Sequence, residues 1–221
     1  MTYLIDIVLS IVLLLAGYVG VCWYFSDRKI TEIKNSVLKI TKKKVGYLVV
    51  GCLSTAAVIL SLNLTYHVDL VSRINLIALV LLLLPLAAID TKVQKVPNIF
   101  LLVGLAVRVV LIAVLYIINM DNAWQITKDS LIGALVIGLF FLFLLVAFKN
   151  SIGMGDVKLF ALMGLYQGIW GVINSVFFAL LVSFFVSVTL LISRKKKKKD
   201  TIPFVPSIYI GTIIAICMAG I

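Results

Sequence analysis

The chain has 221 residues and a formal net charge of +11 at pH 7, from 20 basic and 9 acidic residues. Hydrophobic residues make up 63% of it and charged residues only 13%, whereas an ordinary soluble domain is about half apolar and about a quarter charged. This composition excludes a soluble globular protein and predicts an all-α, polytopic membrane helical bundle. Because each crossing takes about 20 residues, residues 1–221 are expected to form one integral membrane domain, with no separate soluble domain.

Apolar runs long enough to cross a bilayer follow one another along the chain. In order, they cover residues 7–25, 45–62, 74–89, 99–118, 131–148, 159–192 and 202–221. As a single helix, the run at 159–192 would span about 50 Å, against a hydrocarbon core of about 30 Å. It is therefore expected to form two helices that turn near residues 171–175, which gives about eight transmembrane helices in all.

Basic residues predict the orientation of these helices, because short loops rich in Lys and Arg stay in the cytoplasm. Two strongly basic loops, at 26–44 and 194–200, and two short loops with two lysines each, at 90–98 and 148–158, are expected on the cytoplasmic side. This arrangement puts 17 of the 20 basic residues inside and both chain termini outside. The three exceptions are Arg73 and Lys128, which fall outside, and Arg108, which falls within the membrane.

The excess of positive charge does not indicate nucleic-acid binding, because the basic residues lie in short loops beside the membrane without interleaved aromatic residues. Membrane topology and contact with anionic lipid headgroups explain them instead. The three cysteines, Cys22, Cys52 and Cys217, lie singly in apolar runs. No zinc or redox motif is therefore predicted, and no metal site is expected.

Two acidic residues are placed differently from the other seven. Asp90 and Asp156 are the only acids of the sequence that border the membrane in the short cytoplasmic loops. Each has a structural explanation: Asp156 could cap the amino terminus of a helix after a bend at Gly153 and Gly155, and Asp90 could end a helix, with Pro97 in the first turn of the next. Acids at a membrane edge are costly, however, and are commonly kept for function.

Two carboxylates that share a site cannot both ionise readily, so one holds a proton while the other accepts one from water, as in aspartic proteases. The sequence therefore predicts a catalytic pair formed by Asp90 and Asp156. The partial charges of helix ends favour Asp156, at an amino terminus, as the base and Asp90, at a carboxyl terminus, as the acid. Glycines at 153 and 155 would let an extended substrate backbone approach the carboxylate.

Residues 90–98, DTKVQKVPN, and residues 153–159, GMGDVKL, resemble the two motifs of the type IV prepilin peptidases, which are membrane aspartic proteases with a G-x-G-D motif. In that family, an aspartate and a Pro-Asn pair with six residues between them precede a later G-x-G-D-x-K-[LF]. Residues 202–211, IPFVPSIYIG, are similar to the family's Pro-Phe-x-Pro element. The resemblance covers roughly residues 74–221.

The resemblance implies that the protein removes short, basic leader peptides from prepilins or pilin-like precursors, just after a glycine, at the cytoplasmic face of the inner membrane. Asp90 and Asp156 would be the catalytic dyad. Residues that would shape the site or bind substrate are Gly153, Gly155, Lys158, Pro97 and Asn98. Proteolysis of this kind needs no cofactor.

Many members of that family also methylate the new amino terminus from S-adenosylmethionine. Long members carry zinc-binding cysteine pairs in the loop after the first helix, and this chain has none there. It therefore resembles a short form, and S-adenosylmethionine is expected only if a methyltransferase activity is retained. The sequence does not indicate an oligomeric state.

Other classes of function remain open. A proton-coupled transporter would also use membrane acids, although near the midplane and on broken helices. A non-catalytic assembly protein of a pilus or secretion system is a second alternative. Intramembrane proteases of the presenilin type share G-x-G-D but pair it with Tyr-Asp and Pro-Ala-Leu, where this chain has AAID and PFVP, and they rank lower. Arg108, in VGLAVRVVLIA, is open between a functional role and a structural one.

Overall fold

The protein is a bundle of α-helices in a computed structural model that describes residues 2–26, 42–66, 68–118, 120–148, 153–193 and 202–220. Across these residues there are seven α-helices and no strand. In chain order they are α1 (Thr2–Phe25), α2 (Lys42–Leu60), α3 (Leu70–Val93), α4 (Asn98–Ile118), α5 (Met120–Ala147), α6 (Met154–Ile192) and α7 (Val205–Ala219). A π-helical turn, Ser61–Thr65, extends α2.

Six of the helices in the described ranges are long and apolar enough to cross a membrane, and α7 is a shorter apolar helix. In a bilayer the backbone polar groups must be satisfied within the protein, and a helix satisfies them within one segment. The helix ends carry ordinary signals. Asp69 caps α3 by accepting a hydrogen bond from the Ser72 amide at 3.2 Å, and Gly220 ends α7 in the left-handed conformation. The all-α membrane bundle expected from the composition is confirmed.

Helix α3 is the centre of the bundle. From Asn75 to Asp90 its residues are buried except at Leu82 and Ala88, and it contacts α1, α2, α4, α6 and α7. Helix α4 differs, because it exposes large apolar side chains such as those of Leu102, Val110 and Ile117. Exposed side chains of this kind suit contact with lipid. Three polar residues of α3, Arg73, Asn75 and Asp90, are buried among the other helices.

Helix α6 turns back on itself at Gly168. This residue has φ 67° and ψ −173° inside an otherwise helical run, a conformation that glycine adopts far more readily than other residues. The end of α7 lies beside the turn, because Gly220 lines the same cavity as Gly168. The middle of α7 lies beside the second half of α6, because a Cβ on Gly211 would lie 2.6 Å from the Cα of Ala179. Ala179 follows Gly168 by 11 residues, or about 16 Å of helix. The second half of α6 therefore runs back along α7 towards its start.

The predicted pair of helices is present, but the predicted turn near residues 171–175 lies at Gly168 instead. With α6 counted as two halves, the described residues contain the eight helices expected from the sequence. Several helices also have other bounds. Helix α3 begins at Leu70 and not at residue 74, α5 begins at Met120 and not at residue 131, and α7 is shorter than the run at 202–221. Apolar runs stop at the first polar residue, whereas helical hydrogen bonding continues past it.

The two strongly basic loops are described only in small part. Helix α2 begins at Lys42, so the predicted loop at 26–44 is shorter at its carboxyl end than expected. Residues 27–41 and the predicted loop at 194–200 lie outside the described residues.

The two ends of the bundle carry different groups. Asp6 of α1 forms a buried ion pair with Arg73 near the start of α3, with 3.3 Å between Oδ2 and Nε, and the Tyr66 ring lies against Gly220. The beginning of α1 and the end of α7 are therefore at the same end of the bundle, which agrees with the prediction that both termini share one side. The opposite end holds the carboxyl end of α3, with Asp90, and the start of α6.

Candidate active site

Asp90 lies in the last turn of α3, which continues to Val93 and does not end at the aspartate as predicted. The residue is buried, with 5% of its surface exposed, and its Oδ2 accepts a hydrogen bond from the Val205 N–H at 3.0 Å. The N–H of Phe204 also donates to this carboxylate. Asp90 therefore caps the amino terminus of α7 from another helix, and the contact ties α3 to α7.

Asp156 is the third residue of α6, and the N-cap residue of this helix is Gly153, in an extended conformation (φ −80°, ψ 143°). The Asp156 N–H donates to the Gly153 carbonyl at 3.0 Å, and the Asp156 carboxylate accepts a hydrogen bond from the Gly153 N–H. The prediction that Asp156 itself could be the cap residue is wrong. This second contact is one half of a capping box, the half in which the third residue reaches back to the cap residue, because glycine has no side chain to supply the other half.

The carboxylates of Asp90 and Asp156 interact electrostatically with each other between α3 and α6. Both also lie at helix amino termini, since Asp156 is in the first turn of its own helix and Asp90 caps α7. The argument that made Asp156 the base and Asp90 the acid therefore fails, because it considered only the helix that carries each residue. The arrangement is two carboxylates of like charge, each held by backbone amides, at one end of the bundle.

The two glycines of the G-x-G-D segment lie against groups of the site. A Cβ on Gly155 would lie 2.9 Å from the Cβ of Val96, in the loop after α3, and a Cβ on Gly153 would lie 3.3 Å from Oδ2 of Asp156. Glycine at 155 thus allows the loop to pack directly on α6, and glycine at 153 leaves space beside the carboxylate. The approach of an extended substrate backbone at these positions stays a prediction.

Lys158 and Asn98 join the two motif segments. The Lys158 Nζ donates to the Asn98 Oδ1 at 3.3 Å, and both residues are exposed. Helix α4 begins at Asn98, and the carbonyl of Pro97 accepts a hydrogen bond from the Phe100 N–H at 3.2 Å. Pro97 therefore precedes the helix by one residue, and the prediction that it lies inside the first turn is wrong by that residue. The structure brings segments 90–98 and 153–159 together.

Aromatic packing fixes the backbone around the two carboxylates. Phe160, one turn after Asp156, stacks on Phe141 of α5 with ring centroids 4.0 Å apart, and it meets Phe204 edge-on at 5.9 Å. Phe204 is one of the residues whose amides hold Asp90. Such ring pairs have a preferred geometry, so this cluster connects α5 and α6 to the start of α7.

Sequence reasoning missed the amides of Phe204 and Val205 and the packing of Val96. Pro203 and Pro206 indicate a helix start within IPFVPS, but no sequence signal identifies Asp90 as the partner of that helix. Within the described ranges, no group of three or more His, Cys, Asp or Glu side chains could hold a metal ion.

Comparison with known proteins concerns the same part of the molecule. A family model described as the type IV leader peptidase family matches residues 77–192, which is more than half of the chain. A relative from Bacillus subtilis (strain 168), named prepilin leader peptidase/N-methyltransferase, is 28% identical over 169 residues, or 76% of this chain and 62% of the relative. A protein of the same name from Pseudomonas putida is 32% identical over 152 residues, or 66% of this chain and 50% of that protein.

The chain thus spans about half to three fifths of the length of these curated relatives. No solved structure matches it. The family match includes both aspartates, the glycines at 153 and 155, and the contact between Asn98 and Lys158. On that match, the chain belongs to the type IV leader peptidase family.

Proposed function

We propose that this protein is a membrane aspartic endopeptidase that removes leader peptides from prepilins or pilin-like precursors, with Asp90 and Asp156 as its catalytic pair. The observation that carries the proposal is that two acids from distant parts of the sequence interact electrostatically at one end of an apolar helical bundle. Family membership and the names of the two relatives support prepilin processing. Charged groups at a membrane edge are costly, which favours a functional role for the pair.

The pair would hydrolyse the peptide bond by acid–base catalysis. One carboxylate takes a proton from water while the water oxygen bonds to the scissile carbonyl carbon, and the protonated partner donates its proton to the carbonyl oxygen. The C–N bond of the resulting diol then breaks as the first acid protonates the nitrogen and the second carboxylate recovers a proton from a hydroxyl. Each aspartate ends as it began. The amides of Phe204, Val205 and Gly153 orient the carboxylates for these transfers.

We propose that the site faces the cytoplasm from the inner membrane. Lys92, Lys95 and Lys158 are exposed at the end of the bundle that holds Asp90 and Asp156, and the charge pattern of the sequence predicts the basic loops on the same side. Anionic lipid headgroups would be the nearest counter-charges for these lysines. The opposite end holds the Asp6–Arg73 pair, whose charges neutralise each other.

Leader removal requires no cofactor in this proposal. The names of the relatives include N-methyltransferase, and such an activity would need a methyl donor such as S-adenosylmethionine. A cavity of about 230 Å³ between α1, α3 and α4 is almost entirely apolar, and a cavity of about 400 Å³ beside Gly168, with a partly polar lining, lies at the other end of the bundle. S-adenosylmethionine would be required only if this chain retains the methyltransferase activity that the names of the relatives include.

A proton-coupled transporter is the main alternative, and the broken helix at Gly168 is the observation that favours it. The acids of a transporter would be expected beside such a break, near the midplane of the membrane. Asp90 and Asp156 lie instead at one end of the bundle, which favours a peptidase. A non-catalytic assembly protein would have the same fold without cleavage.

Leader removal from a co-expressed pilin-like precursor, followed as a gel shift, tests the proposal. We expect Asp90→Asn and Asp156→Asn each to lower cleavage by at least about 100-fold at normal membrane levels, since removal of an acid–base group costs about 10²–10⁴-fold. Asp69→Asn is the matched control, because asparagine caps a helix as well as aspartate does, and it should cleave normally. Cleavage that survives in either of the first two variants would contradict the dyad.

A further inference from the structure

Arg108 is a buried guanidinium in the middle of α4, with 3% of its surface exposed. Its hydrogen bonds reach three other helices. Nε donates to the Leu165 carbonyl of α6 at 2.6 Å, Nη1 to Asn75 Oδ1 of α3 at 2.8 Å, and Nη2 to Ser130 Oγ of α5 at 2.7 Å. A charged side chain at such a depth is costly and is commonly kept for function. Through these bonds Arg108 joins four helices at one point.

On α6, Arg108 bonds to a backbone carbonyl just before the turn at Gly168, where carbonyls have no amide partner within the helix. The last four carbonyls of a helix have no amide partner within it. Of these, the Leu165 carbonyl accepts from Arg108, and the Tyr166 carbonyl accepts from the Asn75 side-chain amide. Positive charge is also favourable at the carboxyl end of a helix. Arg108 and Asn75 thus replace the hydrogen bonds that a continuous helix would have supplied.

Helix α5 holds the other side of the turn. A Cβ on Gly133 would lie 2.5 Å from the carbonyl carbon of Gly168, and Asp129 also lies against Gly168. Ser130, which accepts from Arg108, comes between these two residues of α5. The turn is therefore enclosed by α3, α4 and α5, and it cannot slide along any of them without loss of an Arg108 or Asn75 hydrogen bond.

The same two helices that meet at Arg108 carry the proposed catalytic acids. Asp90 lies 15 residues after Asn75 on α3, and Asp156 lies nine residues before Leu165 on α6. A slide of one residue between these helices moves their groups by about 1.5 Å, and a misplacement of about 1 Å can cost on the order of 100-fold in rate. We infer that Arg108 is a positioning residue that holds α3 and α6 in the register at which Asp90 and Asp156 meet. This inference rests on the proposed function.

The register can be measured without activity. In the full chain, with Cys22, Cys52 and Cys217 replaced by alanine, Asp90→Cys and Asp156→Cys provide two thiols for bifunctional thiosulfonate cross-linkers of increasing length. Linkage is read from the intact mass of the chain, because one linker that joins both thiols adds less mass than two linkers that are each attached at one end. With the shortest linker that joins them, we expect Arg108→Leu to lower the yield at least about fivefold.

Leu115→Ala is the matched control for Arg108→Leu. Leu115 is buried on the same helix, α4, and it lies away from the turn. We expect it to lower the unfolding temperature without changing the cross-linking yield or the cleavage constants.

In the chain with both aspartates, Arg108→Leu should lower kcat at least about tenfold with KM changed less than threefold, because positioning acts on the chemical step. If Arg108→Leu does not accumulate in the membrane, Ser130→Ala is tested in its place, because it removes only the hydrogen bond between Arg108 and Ser130.

An unchanged cross-linking yield and an unchanged kcat in these variants would overturn the inference. A loss of cleavage in Asp90→Asn and Asp156→Asn with an unchanged yield would leave the proposed function intact and contradict only the role of Arg108. If cleavage persists in the aspartate variants while the cross-linking yield falls in Arg108→Leu, the catalytic pair is contradicted. The role of Arg108 in the register of α3 and α6 would then still be supported.

Discussion

Gly155 is a residue at which the two motif segments pack directly on each other. A Cβ at this position would lie 2.9 Å from the Cβ of Val96 and 3.6 Å from its carbonyl oxygen, so the loop after α3 would have to move. That loop has little freedom, because Gln94 already has φ 51° and Pro97 has a fixed φ. Gly155 itself has no left-handed backbone. Its contribution is therefore close packing and not conformational freedom.

We expect Gly155→Ala to lower leader cleavage about tenfold, because the added methyl group pushes the loop, and with it Asn98, away from α6. Gly46→Ala is the matched control, since an added Cβ on Gly46 meets nothing within 4 Å. Val96→Gly in the Gly155→Ala background removes the clashing Cβ and should recover part of the activity. Cleavage would be followed on a pilin-like precursor at matched membrane levels, and full activity of Gly155→Ala would contradict this account.

At this scale the sequence singled out a few candidate site residues, because polar residues are rare in so apolar a chain. Asp90 and Asp156 stood out by their places in short basic loops, and their carboxylates influence each other electrostatically at one end of the bundle. Their backbone partners were not predictable. Every residue except proline has an N–H group, so nothing in the sequence distinguishes the amide of Val205 as the donor to Asp90.

The reversal of α6 is the feature of a single element that most affects the site, because it returns the chain to the end where α7 begins. The helix has 39 residues, which would extend about 58 Å if it were straight. Met154 and Ser193 at its two ends would then lie on opposite sides of a membrane. With the turn at Gly168, both lie on the side of Asp90 and Asp156.

We therefore expect Met154→Cys and Ser193→Cys, each in a chain without other cysteines, to react with a membrane-impermeant maleimide from the same side of sealed vesicles. Leu64→Cys, in the exposed π-helical turn at the other end of the bundle, is the control and should react from the opposite side. Labelling of positions 154 and 193 from opposite sides would show a straight α6 and would contradict the fold.

The sequence predicted that this run reverses but not where. The run is too long for one crossing of the bilayer, so two helices were required. The position of the turn was ambiguous, because the segment LYQGIWGVINS contains two glycines and a polar pair, Asn174 and Ser175, that could each mark it. At Gly168 the turn lies beside partners on other helices: Asp129 of α5 is next to Gly168, and Arg108 of α4 donates to the Leu165 carbonyl just before it. These partners are distant in the sequence, and local turn signals carry no information about them.

At the scale of the whole molecule, α3 is the axis to which the other parts are attached. Helices α1 and α2 precede residues 77–192, which match the family model. Helix α1 is fixed to α3 at both ends, by the Asp6–Arg73 ion pair at one end and by the Lys92 ammonium, 4.0 Å from the centre of the Phe25 ring, at the other. The first helix therefore depends on two charged groups of α3.

The ion pair at the first of these ends is fully enclosed, since Asp6 has no exposed surface and Arg73 is 7% exposed. Arg73 also donates a hydrogen bond to Asn63, next to α2. Removal of one partner of a buried pair costs about 3–5 kcal/mol, because it leaves the other charge without compensation, whereas replacement of both by apolar residues is often nearly neutral. The pair thus holds α1 and α2 against α3 mainly because moving these helices apart would leave two buried charges without compensation.

We expect Asp6→Leu to lower the thermal unfolding temperature of the purified full chain in detergent clearly, and Asp6→Leu combined with Arg73→Leu to recover most of the loss. Recovery should be incomplete, because the second change also removes the hydrogen bond to Asn63. Asp69→Asn, an exposed acid at the same end of the bundle, should leave the unfolding temperature unchanged. On this account each buried charge is tolerated only because the other compensates it. A double variant as unstable as Asp6→Leu would contradict the account, because removal of the second charge would then have relieved nothing.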